Sequence, residues 1–139
     1  MSVEQNKATL RALLDAINTG HLDAFDDLVA GDFQEHLNAV GAAQGREGYK
    51  QMMNAVRAAF PDLNLAHHTI VAEGDFLAYR VLGTGTHEGE FAGIPPTGKQ
   101  VNFQLMEIMR FENGKAVERW GELDQLGLLQ QLGAIPVPD

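Results

Sequence analysis

Residues Lys99 to Gly133, KQVNFQLMEIMRFENGKAVERWGELDQLGLLQQLG, decide the fold. Asn113-Gly114 is a strong hairpin signal, because a type I′ turn needs φ > 0 at both central residues. Counting back from that turn sets Glu112 opposite Lys115, Phe111 opposite Ala116, Glu107 opposite Trp120 and Phe103 opposite Asp124. Side chains alternate along a strand. One face therefore carries Val101, Phe103, Leu105, Glu107, Met109 and Phe111, facing Ala116, Glu118, Trp120, Glu122 and Asp124. The other carries Asn102, Gln104, Met106, Ile108 and Arg110 beside Val117, Arg119, Gly121 and Leu123. The first face mixes large apolar groups with carboxylates. A buried carboxylate must be paired, hydrogen-bonded or protonated, so this face reads as a concave, partly dry pocket with an acid in it. Placement of Glu118 and Glu122 at a wet rim is the other reading, and a one-residue slip would exchange the two faces.

Working outward, Asp124 fits the N-cap of a last helix, Gln125 to Leu132, closed by Gly133. Upstream, GEFAGIPPTG (Gly89 to Gly98) is a stiff loop at one end of the sheet. Before it lie two strand-like runs, Leu63 to Ala72 and Phe76 to His87, joined around Glu73-Gly74-Asp75. The first half is helical. Ser2 and Gln5 have the spacing of a capping box, and Leu10, Leu13, Leu14 and Ile17 form an apolar stripe that ends at Asn18-Thr19-Gly20. A short helix is expected at Leu22 to Val29, a break at Gly31, and a short strand at Asp32 to Leu37. Gly41 to Gly45 reads as a loop, and a third helix as Arg46 to Ala59, with Tyr49, Met52, Met53, Val56 and Phe60 marking its buried side before Pro61 stops it. Helices followed by mainly antiparallel strands make one α+β domain over 1–139, a curved sheet with helices packed on it.

Composition narrows the chemistry. The chain has 139 residues and 45% hydrophobic content, enough for one domain with a core. It has no cysteine, so disulfides, thiolate metal sites and cysteine nucleophiles are excluded. Ser2 is the one serine, which removes a serine hydrolase. A net charge of −9 repels a phosphate backbone and argues against nucleic acid. No apolar run reaches the ~18 residues of a membrane span, and the N-terminus lacks the basic-then-apolar pattern of a secretion signal, so a cytoplasmic location is expected. The histidines are His21, His36, His67, His68 and His87. None is paired at i, i+4, and no metal is expected. His36 and His87 each end a strand near a loop, where they could line a pocket mouth or serve structure alone. Asp124 has two open roles: a helix cap, which favours its ionised form, or a general acid/base whose proton affinity is raised by apolar neighbours.

Gly85 to Val101 (GTHEGEFAGIPPTGKQV) and Arg110 to Gly133 resemble the SnoaL-like polyketide cyclases. Thr86-His87-x-Gly89, Pro96-Thr97-Gly98, Asn113-Gly114-Lys115, the Trp120-x-x-x-Asp124 spacing and the closing Leu-Gly carry the resemblance. It implies an NTF2-like (cystatin-like) cone, its sheet wrapped around N-terminal helices with an internal pocket, in a homodimer or higher oligomer. It further implies cofactor-free intramolecular aldol condensation of an apolar poly-carbonyl small molecule. Asp124 matches the acid/base of the family's tryptophan-aspartate motif, with His36, His87 and Gln104 around the substrate. Trp120, Phe103, Leu105, Glu107, Met109 and Glu122 would line the pocket. Fold does not fix function. The alternatives are a non-catalytic small-molecule binder, an isomerase or hydrolase on the same fold, and an assembly module using Met106, Ile108, Val117 and Leu123 on the outer sheet face.

Overall fold

The computed structural model describes residues 2–36 and 43–138. Helix α1 spans Val3–Thr19, capped where the Ser2 hydroxyl accepts from the Gln5 N–H (3.1 Å) and closed by Gly20 at φ 79°. The expected second helix is shorter: a 3₁₀ turn over Leu22–Ala24 leads into α2 (Phe25–Leu28). Strand β1 (Val29–Glu35) already begins at Val29 and runs through Gly31, which was expected to break the chain. Residues 41–42 of the expected loop Gly41 to Gly45 lie outside the described residues; 43–44 have no regular structure, and Gly45 already opens the next helix. Helix α3 spans Gly45–Ala59. Strands β2 (Asn64–Glu73) and β3 (Phe76–Thr86) join through Gly74-Asp75; β4 (Gln100–Glu112) and β5 (Lys115–Leu123) join through Asn113-Gly114, with φ 52° and 76°. Helix α4 covers Gln125–Gln131.

The strands form one sheet in the order β1-β5-β4-β3-β2. All neighbours are antiparallel except β1, which runs parallel to β5 and sets Glu35 beside Arg119. Helices α1 and α3 cover the concave face. Leu10 and Leu13 from α1, Tyr49 and Met53 from α3, and Leu77, Tyr79, Val81, Val101 and Phe103 from the sheet share one core. Phe33 stacks on Tyr49 (5.0 Å) while Phe25 meets its edge (4.8 Å), which ties β1 to α3. The Asn18 amide exchanges two bonds with the Leu65 backbone (2.8 and 2.9 Å), and Arg57 donates to the terminal carbonyls of Ile17 and Asn18. These contacts hold α1 over β2 as a fixed wall.

The β4 alternation is as expected: Val101, Phe103, Glu107, Met109 and Phe111 are buried and the residues between them are more exposed. The β5 facing is not. Phe111 pairs with Ala116, but Arg110 pairs with Glu118, so Val117 is an extra, bulged residue. Beyond it, Met109 faces Arg119, Ile108 faces Trp120, Glu107 faces Gly121 and Leu105 faces Leu123. A bulge inserts one residue on one strand and sharpens the local twist. It exchanges every later side chain between faces. Arg119 and Leu123 therefore turn inward, and Glu118, Trp120 and Glu122 turn outward.

Candidate active site

Between the helices and the concave face lies a cavity of about 160 Å³. Its wall is mostly apolar: Leu10, Leu13, Met53, Phe60, Val81 and Phe103 are among its residues. Its polar groups are Tyr49, His67, Tyr79, Glu107 and Arg119. The inward alternation of each strand places them. Tyr79 pairs with Glu107 across β3–β4, Arg119 with Met109 across β4–β5, and Glu35 with Arg119 across β5–β1.

Two carboxylates share one guanidinium, and the sharing is unequal. Glu35 accepts from Arg119 Nε at 3.2 and 2.9 Å, and also from Nη2. Glu107 accepts from Nη1 at 3.3 Å. The guanidinium lies 4.3 Å over the Tyr49 ring, and the side chains of Arg119, Glu35 and Glu107 are 4%, 1% and 9% exposed. Burial opposes the charge on Arg119, but Tyr49, Glu107 and Glu35 outweigh it and raise its proton affinity. Burial pushes the Glu107 carboxyl above the ordinary carboxylate range; Arg119 and a hydrogen bond from the Tyr79 hydroxyl oppose the shift without cancelling it. Burial likewise pushes Tyr49 up to about 12 and Tyr79 well above its usual value, so both are neutral phenols. His67, edge-on to Tyr79 at 4.7 Å, is held down to about 4 by burial and by His68, and is a neutral imidazole. The arrangement sets one carboxyl of raised proton affinity in a mostly apolar hollow, beside the charged Arg119 and the neutral Tyr79.

Phe103, Leu105, Glu107 and Met109 line the cavity, as the strand pattern predicts. The other expected site residues sit elsewhere. Asp124 is exposed and caps α4, its carboxylate accepting from the Gly127 N–H at 3.0 Å; it follows Leu123, a wall residue, but is not itself in the wall. Trp120, Glu122 and Gln104 point to the outer face, the first two because of the bulge at Val117 and Gln104 through the β4 alternation. His36 is also outside, stacked on Trp120 at 5.1 Å and bonded to Glu118 at 2.7 Å. His87 is fully buried, but it is not at a pocket mouth. Its Nδ1 accepts from the Thr97 N–H (3.2 Å), and its backbone N–H bonds Lys99, which pins the Gly89–Gly98 loop to the sheet end.

The polar groups missed by sequence reasoning are Glu35, Arg119, Tyr79 and His67; Tyr49 is anticipated only as core. Tyr79 has a readable signal, since Leu77, Tyr79 and Val81 alternate with Arg80. Glu35 and Arg119 are 84 residues apart and meet only through the parallel β1–β5 pairing. Among the described residues there is no cluster of three His, Asp or Glu that could hold a metal, and no helix long and apolar enough to cross a membrane.

A curved sheet closed by helices over a mostly apolar cavity, with one guanidinium unevenly shared between two buried acids, defines a pocket protein of the α+β cone type. The chain belongs to the SnoaL-like polyketide cyclase family, whose sequence model matches residues 7–132. It is 32% identical over 130 residues to nogalonic acid methyl ester cyclase of Streptomyces nogalater, covering 91% of this chain and 96% of that protein. Among solved structures, TsrD from Streptomyces laurentii is similar with TM-score 0.90 and 27% identity, covering 97% and 99% of the two chains. IdmH from Streptomyces antibioticus, a proposed polyketide cyclase, is similar with TM-score 0.81 and 34% identity, covering 93% and 99%.

Proposed function

We propose that this chain is a cytoplasmic, cofactor-independent cyclase that closes a ring in an apolar poly-carbonyl small molecule by intramolecular aldol condensation, with Glu107 as the general acid/base. One observation carries the reading: Glu35 holds the guanidinium through several bonds, and Glu107 keeps a raised proton affinity beside an apolar cavity. A base whose pKa approaches the working pH transfers protons more efficiently. The ionised Glu107 takes a proton from a carbon flanked by carbonyls, and the C–H electrons pass into an enolate. The enolate carbon attacks a second carbonyl of the same molecule, forming the C–C bond. The new alkoxide then takes the proton back from Glu107. Holding both reacting parts in one cavity supplies much of the entropic gain. The name of the S. nogalater relative, a methyl ester cyclase, is consistent with this reaction class.

The test is α-proton exchange of acetophenone in D₂O, followed by NMR. We expect Glu107→Gln to slow the protein-dependent exchange by ~10²–10⁴-fold and Asp124→Asn to leave it intact. The reverse pattern would move the acid/base to Asp124, the position that matches the family motif. Protein that binds acetophenone saturably yet exchanges no proton would be a binding module.

We also propose a homodimer through the outer sheet face. Val71, Phe76, Met106 and Ile108 are exposed there around Trp120, a mixed apolar surface of the kind interfaces use. Leu123, expected on that face, lines the cavity instead.

A further inference from the structure

Among the described residues that line the cavity, one buried side-chain polar atom lacks a hydrogen-bond partner: Nδ1 of His67. The other polar groups of the wall are engaged with one another. Arg119 is taken by Glu35 and Glu107, and Tyr79 by Glu107. A buried nitrogen without a protein partner is unfavourable unless a ligand or an ordered water satisfies it. His67 sits on β2 and Glu107 on β4, with β3 between them. His67 pairs with Val81 and Glu107 with Tyr79, so two strand spacings across and two residues along set their backbones about 12 Å apart. Their side chains approach from the same concave side, with Tyr79 touching both. An apolar cavity of ~150 Å³ takes up benzene, and this one measures about 160 Å³.

We propose that the His67 Nδ1–H donates to the substrate's carbonyl oxygen opposite Glu107, and that the cavity takes a neutral, one-ring-sized carbonyl or hydroxyl compound. This rests on the Glu107 reading for its catalytic consequence, but not for binding. When Glu107 removes the neighbouring proton, charge collects on that oxygen, and the Nδ1–H is placed to stabilise it. A neutral imidazole suits the role because it can donate without bringing a cation into a dry site; burial keeps His67 neutral.

The probes are phenol and benzene, measured by calorimetric or NMR titration. In a wholly apolar hollow, phenol loses its hydrogen bonds to water and binds much worse than benzene. We expect the unaltered protein to bind phenol at least as tightly as benzene. His67→Phe should weaken phenol by roughly tenfold or more while benzene holds within about twofold. His67→Asn, whose amide nitrogen falls near the position of Nδ1, should restore phenol binding and acetophenone exchange. If His67→Phe does not fold, as judged by its melting curve, His67→Leu takes its place. The proposal is overturned if phenol binding is indifferent to His67, if phenol is rejected relative to benzene by the unaltered protein, or if neither probe binds saturably. Glu107→Gln run in parallel separates the two ideas. Loss of the phenol preference there, and not at His67, assigns the oxygen to Glu107; a His67 effect with exchange unchanged by Glu107→Gln sinks only the acid/base assignment.

Discussion

Replacing Arg119 by Met removes the one guanidinium that the two buried acids share. Its contacts are several to Glu35 and one of 3.3 Å to Glu107, and all three side chains are nearly dry. Removing one partner of a buried ionic cluster costs ~3–5 kcal/mol, because the remaining charges are left uncompensated. At ~4 °C per kcal/mol for a chain of this size, the melting temperature should fall by roughly 12–20 °C near neutral pH. Glu107→Gln should behave differently. It leaves Glu35 paired with Arg119 and removes the acid whose ionisation burial disfavours. The sign follows from linkage. A carboxyl with a raised folded-state pKa gives up stability as pH climbs from its unfolded value through its folded value. Glu107→Gln should therefore gain on the unaltered protein as pH rises from about 4.5, and match or exceed its melting temperature at pH 8. Calorimetric melts of both variants between pH 4 and 8 are the assay. If Glu107→Gln loses as much as Arg119→Met across that range, Glu107 is an obligatory counter-ion and the unequal-sharing argument fails.

Other predictions test separate links. Deleting Val117 removes the bulge and would send Arg119 outward and Trp120 inward, so the protein should fail to fold; a folded product with a wild-type melting curve would show that the bulge is not needed. Asp124→Ala should lose ~1 kcal/mol through the α4 cap while Asp124→Asn stays within a few tenths, read by urea denaturation; equal losses would mean that the carboxylate charge, and not the cap, matters. His67 should titrate at about 4, visible as a single NMR step in its ring protons, and stay neutral from pH 5.5 upward. Ile108→Glu should convert a dimer to monomer in sedimentation, leaving phenol binding unchanged because Ile108 is outside the cavity.

Much of this was legible in the residues themselves. The α1 stripe and its stops at Ser2 and Gly20, the Asn113-Gly114 turn and the β4 alternation are local. Each depends on steric and hydrogen-bonding preferences within a few positions, and each stands as expected. The β4 pattern alone puts Glu107, Phe103, Leu105 and Met109 inside, and the motifs from Gly85 to Gly133 point to the family the comparisons confirm. Tertiary structure decided the rest. The bulge at Val117 answers to the twist of a closing sheet, which no local residue preference dictates. That one extra residue exchanged Trp120 and Glu122 for Arg119 and Leu123 at the cavity. The pairing of β1 with β5 then brought Glu35 across 84 residues to the guanidinium. Whether an inward acid is firmly paired or free to exchange its proton depends on which neighbours the sheet delivers to it, and that is a property of the assembled cone.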